Sequence, residues 1–105
     1  MAHYLVRARA KSDKLGELLQ RLAANAFVDL EPFGRALTRG LRGARIEGDE
    51  ILWEEEDYCA PPLKEERAAV LDYYFDGIIV QRVAEGDGWR RIAALPHLFA
   101  ELNRS

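Results

Sequence analysis

The chain has 105 residues, of which 49% are apolar and 31% charged, and its formal net charge is −3. These values are typical of one folded domain with a single core, so we assign residues 1–105 to one domain. The acidic charge argues against nucleic acid as a partner, and no apolar run reaches the ~18 residues of a membrane-spanning helix. Cys59 is the one cysteine, which excludes an intramolecular disulfide. The amino-terminal apolar run is too short for a signal peptide, so we expect a cytoplasmic protein without a membrane partner.

The first part of the chain predicts a strand and two helices. Residues Tyr4 to Ala10 alternate in character, which predicts a strand with Tyr4, Val6 and Ala8 on one face. An amphipathic helix to about Phe27 follows, with apolar residues at helical spacing: Leu15, Leu18, Leu19, Leu22 and Ala26. Pro32 then opens a shorter helix with an apolar side formed by Phe33, Leu37 and Leu41.

The middle of the chain predicts a β-hairpin followed by a third helix. The hairpin strands run from Ala44 to Glu47 and from Glu50 to Tyr58, around a turn at Gly48-Asp49. Pro61-Pro62 ends the second strand and opens the helix. The inner side of this helix is assigned to Leu63, Arg67, Val70, Leu71 and Tyr74. Its outer side is assigned to Lys64, Glu65 and Glu66.

The last part of the chain begins with a fourth strand, Gly77 to Val83, and a turn at Gly86-Asp87-Gly88. The segment from Trp89 to Leu95 fits either a helix or a fifth strand. Pro96 then opens a final helix with an apolar side formed by Leu98, Phe99 and Leu102.

This order of elements, β-α-(α)-β-β-α-β-(α), resembles the ferredoxin-like plait, or split βαβ motif, over Tyr4 to Val83. The resemblance implies an α+β two-layer sandwich with a four-stranded antiparallel sheet in the order 4-1-3-2. Helices should cover one face, with extra short helices besides. An iron–sulfur cluster is not implied, because the cluster needs four cysteines. The plait is also similar to the dimeric α+β barrels, which implies a homodimer that buries the open sheet face.

The topology predicts which side chains share each sheet face. Under the helical residues Leu15, Leu18, Leu22, Val70 and Leu71 we expect the strand residues Tyr4, Val6, Ala8, Ile51 and Trp53. On the open face we expect Arg7 and Arg9 to lie beside Glu54 and Glu56. Opposite charges on neighbouring strands attract one another, and a register slip by one residue would exchange the two faces.

The main candidate site lies on that open face. Arg7 and Arg9 can clamp a small carboxylate or phosphate, with Tyr58 as a further ligand-binding residue. Glu54 or Glu56 is the candidate for moving a proton. The alternative is that these charges only neutralise one another, since structural ion-pair networks resemble active sites.

Cys59 is a further catalytic candidate, because catalytic cysteines are often found just before a helix. The carboxylates at 54–57 should raise its pKa, and the alternative is a small packed residue. Strand alternation splits those carboxylates between the two faces. The sequence also contains no HxH, HExxH or CxxC spacing, so we predict neither a metal site nor a cofactor.

Two functions remain open. The first is a small cytosolic binding or regulatory module, homodimeric, that recognises a small anionic ligand or a protein partner. The second is a small cofactor-free enzyme of the dimeric α+β barrel type, acting on an organic acid or a reactive metabolite. An enclosed pocket that holds a carboxylate with a strongly raised pKa would favour the enzyme, and a fully paired ionic face would favour the module.

Overall fold

The computed structural model describes residues 2–103. Within that range the strands are β1 (Ala2–Ala10), β2 (Arg45–Glu47), β3 (Glu50–Asp57) and β4 (Phe75–Val83). The helices are α1 (Leu15–Ala23), α2 (Gly34–Arg42), α3 (64–74) and α4 (Asp87–Ile92). Helix α3 has α-helical turns at Lys64–Glu66 and Asp72–Tyr74 around a π-helical stretch, Arg67–Leu71, and short 3₁₀ helices lie at Ser12–Lys14 and Ala100–Asn103. None of the helices in residues 2–103 is long and apolar enough to cross a membrane.

The four strands form one antiparallel sheet in the order β2-β3-β1-β4. This is the predicted 4-1-3-2 order seen from the other edge, so the ferredoxin-like α+β fold is confirmed. Val6 lies opposite Trp53 on β3 and Val80 on β4, and Ala8 lies opposite Ile51. Opposed residues point to the same side of a sheet, so the predicted division of residues between the two faces is also confirmed.

The main core lies between this sheet face and helices α1 and α3. Val6, Trp53, Leu18, Leu22 and Leu71 are all fully buried in it, and Tyr4 and Leu15 pack against it. Trp53 also meets Phe75 at the start of β4, with ring centroids 5.2 Å apart. The predicted packing of strand residues beneath these helices is therefore confirmed.

Helix α1 ends at Ala23 and not near Phe27 as predicted. Asn25 adopts a left-handed conformation with φ of 56°. Its N–H donates to the carbonyl oxygen of Leu22 at 3.1 Å, and the N–H of Ala26 donates to that of Arg21 at 2.9 Å. This Schellman pattern ends the helix, because a left-handed residue turns the chain away from the helix axis.

Helix α2 lies beside the part of β3 that β2 does not reach, since β2 pairs only with Glu50, Ile51 and Leu52. The contact occurs at Gly40, where a Cβ atom would lie 2.7 Å from Cδ1 of Trp53 and 3.1 Å from the carbonyl oxygen of Glu54. Only a glycine allows the helix to approach the strand this closely. The approach places one side of α2 beside the acidic end of β3.

The carboxy-terminal segment differs from the prediction in one respect. Residues Trp89 to Ile92 belong to α4. Of the two alternatives for Trp89 to Leu95, the helix is therefore the one observed. Pro96, however, does not open a helix. Its carbonyl oxygen accepts from the N–H of Ile46 at 3.0 Å, and the N–H of Leu98 donates to the carbonyl oxygen of Ala44 at 2.9 Å. These bonds hold residues 96–98 extended along the outer edge of β2, so helical structure returns only at Ala100–Asn103.

Helix α4 covers part of the second sheet face, which we expected to be open. Ile92 on α4 packs with Leu5 and Leu52 in a second, smaller buried cluster. Trp89 packs against the same cluster. Leu5 and Leu52 on this face are therefore already covered within one chain, whereas Ile79, opposite Arg7 on the same face, is exposed.

Candidate functional site

The predicted pocket between Arg7, Arg9, Glu54 and Glu56 is not assembled. Arg7 lies opposite Leu52, and Arg9 lies opposite Glu50. The Arg7 Nη1 atom lies 2.8 Å from Oε1 of Glu50, with which it forms an ion pair. Glu54 and Glu56 lie opposite Leu5 and His3 instead. The predicted neighbours were wrong because alternation determines the face of each residue but not the offset between two strands.

Glu54 anchors helix α4 to the sheet. Its Oε1 atom accepts from the N–H of Gly88 at 2.7 Å and of Trp89 at 3.3 Å, and its Oε2 atom accepts from the N–H of Gly86 at 2.8 Å. Both oxygens are thus used by backbone donors, and the side chain is 6% exposed. This arrangement suits a structural role, and the proton-moving role assigned to Glu54 and Glu56 stays a prediction.

A buried group of carboxyl side chains lies on the opposite face of β3. Glu55 and Asp57 point towards α3, where Glu66 meets them, and their exposed fractions are 2%, 4% and 0%. We call Glu55, Asp57 and Glu66 the carboxyl cluster. The sequence indicated that Glu55 and Asp57 share a face, but it placed Glu66 on the outer side of its helix. That assignment was wrong.

Helix phase explains the position of Glu66. Leu63 is left-handed, with φ of 64°, and precedes α3, so it does not share the helix's phase. Within α3 the buried residues are Glu66, Val70, Leu71 and Tyr74, while Arg67 is exposed and lies 3.3 Å from Asp72 in an ion pair. Glu66, Val70 and Tyr74 follow the i, i+4, i+8 spacing of one helix side. This spacing is present in the sequence. It was overlooked because we assumed that a charged residue faces solvent.

Hydrogen bonds hold part of the carboxyl cluster in place. The indole Nε1–H of Trp53 donates to Oε1 of Glu55 at 2.9 Å. Asp57 Oδ2 accepts from the N–H of Leu63 at 2.6 Å and of Cys59 at 3.1 Å, which fixes the loop between β3 and α3. The buried Oε2 atoms of Glu55 and Glu66 find no hydrogen-bond donor among residues 2–103. Buried acceptors of this kind are costly unless a proton or a cation satisfies them.

The pKa values of the cluster follow from its burial. Burial raises the pKa of Glu55 well above its ordinary value, although the Trp53 indole opposes the change. Burial and the hydrogen bond to Asp57 raise the pKa of Glu66 to about 7. Burial alone would raise the pKa of Asp57, but hydrogen bonds from Glu66 and from the Leu63 and Cys59 amides lower it. Around neutral pH the cluster therefore divides into an ionised Asp57, a Glu66 that titrates in that range, and a Glu55 whose raised pKa favours its protonated form.

Cys59 lies at the mouth of the carboxyl cluster. Its Sγ atom lies 3.5 Å from Oε1 of Glu65 and 3.8 Å from Oε1 of Glu66. The Glu65 amide lowers the pKa of the thiol, but burial and the Asp57 carboxylate outweigh it and raise the pKa to about 11. The acidic neighbours thus keep the thiol protonated, as the sequence predicted, which argues against an activated nucleophile.

A cleft of about 220 Å³ lies between α2 and the loop that carries Cys59. One wall comes from Phe33, Arg35 and Arg39, and the other from Tyr58, Cys59 and Glu65. Arg35 and Arg39 are exposed, and neither forms an ion pair with an acidic side chain among residues 2–103. Of the residues predicted to form a site, the cleft includes Tyr58, Cys59 and Glu56 but neither Arg7 nor Arg9. Arg35 and Arg39 were not among the site residues selected from the sequence.

A second, smaller cleft of about 180 Å³ adjoins the first, shares Arg39 and Glu56 with it, and is lined also by His3, Glu54, Glu85 and Trp89. His3 Nδ1 lies 3.5 Å from Glu54 Oε2, and His3 Nε2 lies 3.9 Å from Glu56 Oε2. Because Glu54 is already bonded to three backbone amides, this cleft offers fewer free polar groups than the first.

No protein-family model, curated protein or solved structure matches the chain. The likeness to the ferredoxin-like plait is therefore a likeness of topology. Any inference about function depends on the cleft and the carboxyl cluster themselves.

Proposed function

We propose that the protein is a small cytoplasmic binding module that holds a small molecule with an anionic head group in the cleft beside α2. Arg35 and Arg39 are the head-group ligands. The observation that carries the proposal is that these two guanidinium groups line one cleft and have no acidic partner among residues 2–103. The proposal keeps the predicted ligand class and moves its site from the sheet face to α2.

Geometry supports this choice of residues. Arg35 and Arg39 are one helical turn apart, so their side chains project in the same direction. Arginine binds carboxylate or phosphate through two parallel hydrogen bonds, which favours it over lysine for such a site. Phe33 and Tyr58 provide apolar surface for the rest of the ligand. The volume of about 220 Å³ is below the ~300 Å³ typical of drug-sized pockets, so the ligand should be small.

The enzymatic alternative is favoured by one observation, the pKa of about 7 at Glu66. A carboxyl group that titrates near neutral pH suits general acid–base catalysis. Glu66, however, is 0% exposed and lies behind Asp57 and Cys59, which themselves line the cleft. A ligand in the cleft cannot reach Glu66 without a rearrangement of the loop, so binding is the function better supported.

We also propose a homodimer, but with its contact at an edge of the sheet and not on the open sheet face. Dimers of the α+β barrel type bury the open sheet face, and here α4 already covers Leu5 and Leu52 on that face. Strand β4 lies at the edge of the sheet, and Ile79 on it is 62% exposed. Edge strands pair readily with another chain, so we place the dimer contact along β4.

The binding proposal is tested by calorimetric titration of the purified protein with inorganic phosphate and with succinate, in the presence of EDTA. Arg35→Ala and Arg39→Ala should each weaken binding by about tenfold or more, because a charge-assisted hydrogen bond contributes roughly 1.5–3 kcal/mol. Arg82→Ala, which removes an exposed arginine outside the cleft, is the matched control. If neither anion binds, or if binding survives the double arginine variant, the proposal is wrong. Loss of anion binding in Arg7→Ala would instead indicate that the ligand binds on the sheet face, as predicted from the sequence.

A further inference from the structure

We propose that Asp57, Cys59 and Glu66 form a binding site for a divalent transition-metal ion of the zinc class. One ligand atom from each residue lies within 4.8 Å of the other two. The site adjoins the cleft but does not depend on an anion binding there. It goes beyond the proposed function, since it adds a cation to a module defined by its arginines.

No cationic side chain is paired with the carboxyl groups of the site among residues 2–103. Three carboxyl groups are brought together with at most 4% exposure each. The Oε2 atoms of Glu66 and Glu55 are buried and find no donor outside the carboxyl cluster in the described part of the chain, so within the protein only a proton shared between the carboxyl groups can satisfy them. No lysine, arginine or histidine side chain forms an ion pair with Glu55, Asp57 or Glu66 within residues 2–103. Buried carboxylates are stable when they are paired or when they coordinate a metal.

The number and type of ligand atoms select the kind of ion. Calcium and magnesium prefer six or more oxygen ligands, which this site cannot supply. One thiolate with two carboxylate oxygens suits a borderline ion such as Zn²⁺ or Co²⁺, in tetrahedral coordination. With metal–oxygen bonds of about 2.1 Å and a metal–sulfur bond of about 2.3 Å, ligand atoms lie about 3.4–3.6 Å apart. Cys59 Sγ and Glu66 Oε1 are 3.8 Å apart and every pair of ligand atoms lies within 4.8 Å, so binding must draw the ligand atoms closer together.

Asp57 is already held in position by the backbone. The amides of Leu63 and Cys59 both donate to its Oδ2 atom, at 2.6 Å and 3.1 Å. Such hydrogen bonds to a ligating carboxylate orient it and increase metal affinity. Asp57 and Cys59 also line the cleft that Arg35 and Arg39 line, so the site adjoins a space from which a further ligand can approach the ion. A metal with three protein ligands and one open position can bind a small molecule or water there.

The competing explanation is that protons alone satisfy the cluster, with no cation. A titration of EDTA-treated protein with Co²⁺ separates the two explanations. The proposal expects one equivalent of Co²⁺ to bind and to produce a thiolate-to-cobalt charge-transfer band in the near ultraviolet. Binding converts the Cys59 thiol to a thiolate and leaves Glu66 as a carboxylate, and the protons that both groups release pass to the buffer. Calorimetry with Zn²⁺ should show the same stoichiometry, and Mg²⁺ should not bind measurably.

Variants of matched size identify the ligands. Cys59→Ser should abolish the charge-transfer band and weaken Zn²⁺ binding at least tenfold, and Glu66→Gln should weaken binding by a similar factor while circular dichroism shows an intact fold. Glu47→Gln, which changes an exposed carboxylate on β2, should leave affinity unchanged. His3→Gln tests the nearest competing cluster, where His3 lies within 4.0 Å of Glu54, Glu56 and Glu85.

Two results would overturn the cation site. One is the absence of Zn²⁺ binding by the wild-type protein at neutral pH, which would leave the protonated cluster as the explanation. The other is Zn²⁺ binding that survives Cys59→Ser and Glu66→Gln but is lost in His3→Gln. The wild-type Co²⁺ spectrum remains decisive even if a variant fails to fold. Anion binding is measured separately in EDTA, so failure of one proposal does not imply failure of the other.

Discussion

Glu54 on β3 accepts a hydrogen bond from the N–H of Gly88 at 2.7 Å, and this contact fixes α4 on the second face of the sheet. Gly88 is suited to the position because a Cβ atom there would lie 2.9 Å from Oε1 of the same glutamate. A buried carboxylate thus takes the place of a cap at the first turn of α4, where the helix dipole favours negative charge. Burial of Leu52 beneath Ile92 depends on this attachment.

Glu54→Ala should therefore destabilise the protein by about 2–3 kcal/mol, because it leaves backbone donors at the start of α4 without their charged acceptor. Chemical denaturation followed by Trp89 fluorescence measures the loss, since Trp89 packs against the same small cluster. Glu56→Ala on the same strand face, half-buried and without a backbone partner in residues 2–103, is the control and should cost under about 1 kcal/mol. Equal effects of the two substitutions would contradict the anchoring role.

Gly40→Ala should be strongly destabilising, whereas Gly16→Ala should not. A Cβ atom at Gly40 would lie 2.7 Å from Cδ1 of Trp53, a fully buried side chain, so the helix must move away from β3. Overpacking of this kind costs about 1–3 kcal/mol. At Gly16, on the exposed side of α1, nothing lies within 4 Å, and alanine should stabilise the helix by up to ~1 kcal/mol. Thermal unfolding of the two variants tests the close approach of α2, and a neutral Gly40→Ala would disprove it.

Much of the fold follows from sequence pattern alone. Alternation in β1 and β3 assigns residues to faces, and Gly48 and Gly86 mark turns. The pattern does not contain the offset between β1 and β3, which is why Arg7 meets Glu50 rather than Glu54. The end of α1 was also not predicted, because the left-handed residue that ends it is Asn25 and not the more usual glycine. The extended segment after Pro96 depends on hydrogen bonds to β2, which no local pattern reveals.

The candidate site was the least predictable part for a physical reason. Glu66 is buried against the preference of its own residue type, so a pattern that assigns charged residues to solvent places it outside. Arg35 and Arg39 become a site only because α2 packs beside the end of β3. Both facts belong to the assembled fold and not to the local sequence. Violations of a local rule at one cluster are what a functional site is expected to show.

Metal-free protein should lose stability as the pH rises from about 4.5 to about 7. The pKa of Glu66 is raised from 4.5 to about 7 in the folded protein, so the folded state binds the proton more tightly than the unfolded state. Stability from a raised pKa is fully present below the unfolded value and is lost as the pH passes the folded value. The loss should be at most about 3 kcal/mol. Urea denaturation in EDTA across this pH range measures it.

Glu66→Gln is the control for that pH dependence. The substitution should reduce the dependence of the unfolding free energy on pH. Part of that dependence should remain, because the pKa of Glu55 is also raised. Asp57 has the opposite effect at lower pH: because its pKa is lowered, its contribution to stability is lost as the pH falls. Cys59 and Glu65 are the other titratable groups that face the cluster. A wild-type stability that rises with pH through this range would mean that the carboxyl cluster is ionised in the folded state.

Ile79→Lys should convert the protein from a dimer to a monomer. Strand β4 forms one edge of the sheet, so its outer backbone groups have no strand partner among residues 2–103, and Ile79 beside that edge is 62% exposed. Lysine at an edge strand opposes strand pairing between chains, because two like charges would be brought together. Light scattering over micromolar concentrations should give a concentration-independent dimer for the wild type and half that mass for the variant. Ile79→Val, which keeps the apolar side chain, should remain dimeric. A wild-type monomer, or a dimer that persists in Ile79→Lys, would exclude the β4 edge as the contact.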